Sequence, residues 1–282
     1  MNNEIHLPQG TIRYREDGTG EPLLFVHGVV VNGSLWRKVV PTLAKDFRCI
    51  VPDWPLGAHE VPMNADADLT PAGLAKLVVD FIDAMGLDSV TLVGNDTGGA
   101  ISQIVAAEYP EHVSRLVLTS CDMYDRFFPP LFKPLAMAAR IPGSIWLIGQ
   151  SLRPRMAQRL PIAYGWVTKR HPEKAVIDGW LTPGRRSSAI RRDFTKVLRG
   201  IEPRYTEEAA EKLKGFDKPV LLPWAVEDKL FPIEYARRLA ADMPDATVEE
   251  IHDSYTFIPE DQPDRLAELI ASFVRRPAAV SA

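Results

Sequence analysis

Cysteine is scarce in this chain: Cys49 and Cys121 are the only two, both in apolar, strand-like stretches. That usage excludes a disulfide-stapled scaffold and reads as two buried free thiols in a reducing compartment. Long apolar runs are also missing, and none approaches the ~20 residues that span a bilayer. The opening Met1-Asn2-Asn3-Glu4 has neither the basic nor the apolar region of a secretory signal, so a cytoplasmic location is expected. Positive charge is not in excess: 33 Lys and Arg face 37 Asp and Glu, a formal net charge of -4, which argues against a general nucleic-acid binder. Gly18-Thr19-Gly20 is a lone turn signal, and nothing has the spacing of a phosphate loop or a metal site. Neither a metal nor a cofactor is therefore expected. The expected partner is a small molecule, with no nucleic acid and no membrane. What is present is a soluble globular balance, 46% hydrophobic and 25% charged over 282 residues, long enough to bury a core without staples.

Short apolar runs alternate with helical stretches. Residues 22–27, 48–52, 89–93, 114–119 and 219–224 read as strands covered on both faces, as in a parallel sheet. Ser34 to Ala44 reads as a helix; Thr70-Pro71 opens another with a Thr cap and Pro at the first position, ending near Met85-Gly86; Gly99 to Tyr109 is a third. Glu4–Leu7 and Thr11–Tyr14 around Pro8-Gln9-Gly10 predict an antiparallel edge hairpin. The alternation stops after residue 122 and resumes with a strand at 219–225, a helix near 233–242, a strand near 246–252 and a helix at 263–275. The expected organisation is one α/β domain, residues 1–124 and 216–282, interrupted by a helical cap at 125–215. The tail from Arg276 is expected to fray. Residues 132–200 hold 14 Lys or Arg against 3 Asp or Glu, a balance of +11, so the remainder carries -15. A basic insertion on an acidic body could dock by complementarity or steer an anionic ligand, or simply present solvated helix faces such as Arg185-Arg186 and Arg191-Arg192.

The strand 89–93 runs into Gly94-Asn95-Asp96-Thr97-Gly98-Gly99 and then a helix. Gly-x-nucleophile-x-Gly between strand and helix is the nucleophile elbow. Small residues two before and two after the centre let helix and strand cross closely, while the central side chain is held at a helix N-terminus that favours negative charge. Here the centre is Asp96, which an ordinary helix N-cap would also explain. A second strand ends in Phe25-Val26-His27-Gly28-Val29-Val30. Such a loop supplies one oxyanion donor and the residue after the nucleophile the other, which makes Val29 and Thr97 the candidates. His27 is expected to pin the loop.

With these motifs the chain resembles the α/β-hydrolase superfamily over nearly its whole length, and the Asp elbow makes it similar to the haloalkane dehalogenase and epoxide hydrolase branch. The resemblance implies a mostly parallel sheet with an N-terminal antiparallel hairpin and a helical cap. It implies a carboxylate that attacks carbon to form an ester, later hydrolysed by His-activated water. Asp228, in Ala225-Val226-Glu227-Asp228-Lys229, matches the family's acid; Asp122 stands where some dehalogenases carry theirs. The histidine is absent. Where the family reads Gly-His-Phe, this chain reads Tyr255-Thr256-Phe257, so Thr256 stands in the base's place, and threonine is no base near neutral pH.

Of the six histidines, His59 follows a strand and His252 ends the last one, so these two are the candidates for a relocated base. His6 lies in the edge hairpin, His112 precedes its strand and His171 is in the basic cap. The family's halide-holding Asn and Trp are Val29 and Thr97 here. The arginines of fluoroacetate dehalogenases are replaced by Thr97 and Ala100, and the Pro of epoxide hydrolases by Val30. Tyr124 and Tyr164 are candidates to protonate an epoxide oxygen, or plain packing. The resemblance thus implies a hydrolase acting through Asp96 and Asp228 on a small, largely apolar alkyl halide, epoxide or ester-like substrate. The alternatives are a ligand-binding or catalytically impaired member that keeps the pocket without efficient turnover, and a non-hydrolytic enzyme using Asp96 as a general base.

Overall fold

The computed structural model describes residues 3–276; most of the tail expected to fray lies outside them. Eight strands form one sheet: β1 (Asn3–Leu7), β2 (Gly10–Asp17), β3 (Pro22–Val26), β4 (Arg48–Pro52), β5 (Val90–Asp96), β6 (Val113–Cys121), β7 (Val220–Ala225) and β8 (Ala246–Ile251), in the order β1-β2-β4-β3-β5-β6-β7-β8. The β1–β2 hairpin is antiparallel and joins the sheet through an antiparallel β2–β4 pair, while every later pair is parallel. β5 is buried over its whole length, as its unbroken small and apolar sequence requires of a strand covered on both faces.

The helices before the insertion are α1 (Val40–Leu43), α2 (Pro71–Ala84) and α3 (Thr97–Glu108). The single helix expected over Ser34–Ala44 is instead a 3-10 turn at Gly33–Trp36 followed by α1. Pro41 lacks the N–H that would continue a helix, so it starts the second piece. Thr70 caps α2, its hydroxyl accepting the Gly73 N–H at 3.2 Å. Between β6 and β7 the described chain contains no strand, only a 3-10 turn at Pro130–Phe132, α4 (Lys133–Ala138), α5 (Ser144–Ser151), α6 (Arg155–Gln158), an irregular turn at Pro161–Gly165, α7 (Lys174–Arg186), α8 (Ser188–Gly200) and α9 (Pro203–Leu213). After β7 come α10 (Ile233–Asp242), α11 (Ile258–Asp261) and α12 (Pro263–Val274). α3 packs between α2 and α9 against β5 and β6, and α1 packs with α12. Cys49 and Cys121 are buried and unpaired. Parallel pairing leaves the carboxyl ends of β3, β5, β6, β7 and β8 along one edge, where open α/β sheets bind ligands.

Candidate active site

The turn from β5 to α3 is shaped by crowding. A Cβ on Gly98 would lie 2.2 Å from the Val26 carbonyl oxygen, and one on Gly94 would lie 2.7 Å from the Gly99 Cα. Only glycine allows helix and strands to meet so closely. Between them Asp96 adopts φ 54 and ψ -133, a region that costs a non-glycine residue about 1–3 kcal/mol. Asp96 stands at the N-cap position of α3, but its side chain makes no capping hydrogen bond there. The carboxylate instead turns toward the loop after β3, where a Cβ on Gly28 would lie 2.0 Å from its Oδ2. Burial pushes the Asp96 carboxyl up to about 7; the Thr97 and Val29 N–H groups pull it back, and the charge on Asp228 adds to the rise.

His27 holds that loop. Its Nε2 accepts the Trp54 N–H at 2.9 Å and its Nδ1 lies 2.8 Å from the Gly28 carbonyl oxygen. An acceptor at Nε2 leaves the proton on Nδ1 for the carbonyl, and burial pushes the imidazole down to about 4, so His27 is neutral and structural. The Val30 N–H donates to the Leu56 carbonyl at 2.9 Å, and the Tyr164 hydroxyl donates to the Val30 carbonyl at 2.8 Å.

Asp228 and Thr256 meet. The Thr256 hydroxyl donates to Asp228 Oδ1 at 3.0 Å, and the same oxygen accepts the N–H groups of Leu230 and Phe231 at 2.8 and 3.0 Å. Asp228 Oδ2 is buried without a partner among the described residues. Burial raises this carboxyl to about 6 against the pull of these donors. Asp122 is separate from Thr256: its Oδ2 accepts the Thr97 hydroxyl at 3.0 Å. Burial, and then the Asp96 charge, hold it well above the usual carboxylate range.

Neither candidate for a relocated base reaches this cluster. His59 is buried with its Nε2 3.3 Å from Asp193 Oδ2 of α8, a contact that ties the loop after β4 to the insertion. His252 is exposed at the end of β8. Neither belongs to the wall of the cavity that contains Asp96. Tyr164 does line it, but its hydroxyl is committed to Val30. Tyr124 turns away, its hydroxyl 3.4 Å from Asp242.

That cavity has a volume of about 620 Å³. Its floor is Asp96 and its walls are mainly apolar groups, including Trp180, Phe194 and Phe257, with Arg185 and Arg191 as its cations. Several contributors escaped the sequence reading. The Asn95 amide donates to the Thr119 carbonyl at 3.1 Å and the Thr256 carbonyl at 2.8 Å, tying β5 to β6 and to the loop after β8. Glu260 is buried against Arg37 and Lys38. Asp261 accepts from the Thr168 hydroxyl and from the N–H groups of Lys169, Arg170 and Tyr255, at 2.7–3.0 Å. These two carboxylates fix the loop that carries Thr256. The sequence signal for them was the acidic pair between Pro259 and Pro263, visible only as a helix start.

A strained strand-to-helix elbow with a buried carboxylate, at the carboxyl edge of a mostly parallel sheet, defines a class: the chain belongs to the α/β-hydrolase superfamily, in its dehalogenase-like branch. The α/β hydrolase fold family matches residues 21–146. Haloalkane dehalogenase 2 of Mycobacterium tuberculosis is 30% identical over 267 residues, covering 93% of this chain and 91% of that protein. Cis-3-alkyl-4-alkyloxetan-2-one decarboxylase of Shewanella oneidensis is 28% identical, covering 93% and 85% respectively. An ancestral haloalkane dehalogenase has the same fold, with a TM-score of 0.80 at 22% identity, covering 96% of this chain and 98% of that one.

Proposed function

We propose that the chain uses Asp96 to attack an alkyl carbon of a largely apolar substrate and stalls at the covalent ester, because residue 256 cannot activate water. In the first step a carboxylate oxygen of Asp96 forms a C–O bond while the carbon–leaving-group bond breaks and the leaving group departs with the electron pair. In the second, water adds to the ester carbonyl, its proton goes to a base, and the oxyanion rests on the N–H groups of Val29 and Thr97; collapse then breaks the bond between the carbonyl carbon and the alkyl oxygen, the alcohol leaves with that proton, and the Asp96 carboxylate is restored. The first step needs an ionised carboxylate; the second also needs the base, whose contribution is typically ~100- to 10,000-fold. The observation that carries this reading is the 3.0 Å bond from the Thr256 hydroxyl to Asp228: the acid's partner is a hydroxyl. With the Tyr164 hydroxyl donating to Val30, no tyrosine is free to protonate an epoxide oxygen. This favours a halide or another group that leaves without a proton.

The test is incubation with a primary bromoalkane followed by intact-mass and peptide analysis. The expected result is a persistent alkyl adduct on Asp96, lost in Asp96→Asn and shortened at least ~100-fold in lifetime by Thr256→His. Multiple turnover by the unaltered chain, abolished by changing His59 or His252, would overturn the reading by revealing a relocated base. Tight reversible binding without any adduct would overturn it in favour of a ligand-binding role.

A further inference from the structure

We propose that the outward face of α4, α5, α6 and the Pro161–Gly165 turn docks on an anionic lipid bilayer, and that the cavity above Asp96 fills from that surface. Every large apolar side chain that is exposed among the described residues falls between Met137 and Trp166. Met156 is 84% exposed, Met137 68% and Leu147 61%. Scattered exposed apolar residues need no explanation, but confinement of all of them to one 30-residue stretch marks an interaction surface.

These elements are apolar on both sides. Leu135 of α4, Ile145 and Ile148 of α5 and Ala157 of α6 line the cavity, while Met137, Trp146, Leu147 and Met156 of the same helices face solvent. A helix apolar all round is normally buried in protein or lipid. Because the inner faces border one cavity, the outer faces form one surface around it. Leu160 and Ile162 belong to both, lining the cavity and remaining about half exposed, so the mouth opens through the patch.

Charge selects the occupant. Between Asp125 and Glu173 the chain has no acidic residue. Lys133, Arg140, Arg153, Arg155 and Arg159 are exposed there and make no ion pair among the described residues, whereas Lys169, Arg170, Lys174, Arg185 and Arg192 further along the insertion are paired. Exposed apolar groups ringed by unpaired cations are the composition of a helix set that lies in the interface plane of an anionic membrane. No helix among the described residues is long and apolar enough to cross a membrane, and this mode requires none. The proposal departs from the expectation of no membrane partner. Docking does not depend on the chemistry at Asp96; only the entry of substrate from the lipid rests on that reading.

Vesicle flotation tests it, with phosphatidylcholine alone against phosphatidylcholine containing one quarter phosphatidylglycerol. The whole chain is expected to float with the anionic vesicles and to be released by high salt. Binding should fall about fivefold for each charge neutralised to Gln among Arg153, Arg155 and Arg159, and at least tenfold for Leu147→Glu with Met156→Glu. Brominated lipid should quench Trp146, with Trp146→Phe as the control; this separates insertion of the apolar face from surface adsorption. Thermal melting of each variant confirms folding. Absence of flotation, equal flotation by the Leu147 and Met156 variant, or a dimer in light scattering that the same variant dissociates would each overturn the proposal, the last by making a second copy the occupant. Flotation by Asp96→Asn is expected to match the unaltered chain, so failure of the covalent chemistry leaves this test intact.

Discussion

Asp96→Asn is expected to stabilise the protein, and by more at high pH than at low. The carboxyl sits at about 7 in the folded chain against 3.8 for an ordinary aspartate. A raised carboxyl means that folding disfavours the charged form, so the penalty is absent at very low pH, grows as pH rises past the unfolded value and levels off above the folded one. At 1.36 kcal/mol for each tenfold change in proton affinity, the penalty is about 2 kcal/mol at pH 5 and about 4 kcal/mol at pH 8.5. Asparagine has nearly the same shape, tolerates positive φ better than most residues and carries no charge to bury. The Asn variant should therefore gain about 2 kcal/mol more at pH 8.5 than at pH 5. Asp122 is held up partly by the same charge and relaxes in the same direction. Urea unfolding of both proteins at the two pH values measures this directly. A gain that does not vary with pH, or a loss of more than about 2 kcal/mol at both, would show that the carboxylate is a structural partner and that the reasoning is wrong.

Two further outcomes follow from the same geometry. Adduct formation at Asp96 needs its ionised form, so the labelling rate should climb about tenfold per pH unit below about 7 and flatten above it; a rate flat between pH 5.5 and 8.5, read by intact mass, would point to another nucleophile. Gly98→Ala should cost about 3 kcal/mol, because its Cβ would meet the Val26 carbonyl at 2.2 Å; a midpoint in urea unchanged from the parent would mean that helix and strand do not need that contact.

The strands, the hairpin and the elbow were legible because each is written locally. Apolar runs fix β3 to β7, and Gly94 and Gly98 frame Asp96 at a spacing that only a tight crossing demands. The places of Asp228 and Thr256 were legible only through the resemblance, and their 3.0 Å bond comes from the fold. What stayed hidden depends on orientation. Tyr164 could have faced the substrate, and only the fold sends its hydroxyl to Val30. His59 and His252 sit after strands on the correct edge, yet one is turned to Asp193 and the other to solvent. Periodicity in α5 shows two apolar sides without telling which neighbour each side meets, so the exposed face of the insertion was invisible in the sequence.

The anchoring of the loop after β8 has a mechanical consequence. Asp261 grips residues 168–170 of the insertion, and the Phe257 N–H donates to the Val167 carbonyl at 2.6 Å. Glu260 clamps the other side to Arg37 and Lys38. Swinging the whole insertion away as a rigid lid would break several bonds to buried carboxylates, each worth about 1.5–3 kcal/mol. Traffic in and out of the cavity must instead draw on the limb from α4 to α6, which lacks those ties; the Pro161–Gly165 turn is held by the Tyr164 bond to Val30. The chain behaves as a welded frame with one loose panel, and substitutions in that panel should alter passage rates while leaving the frame around residues 96, 228 and 256 undisturbed.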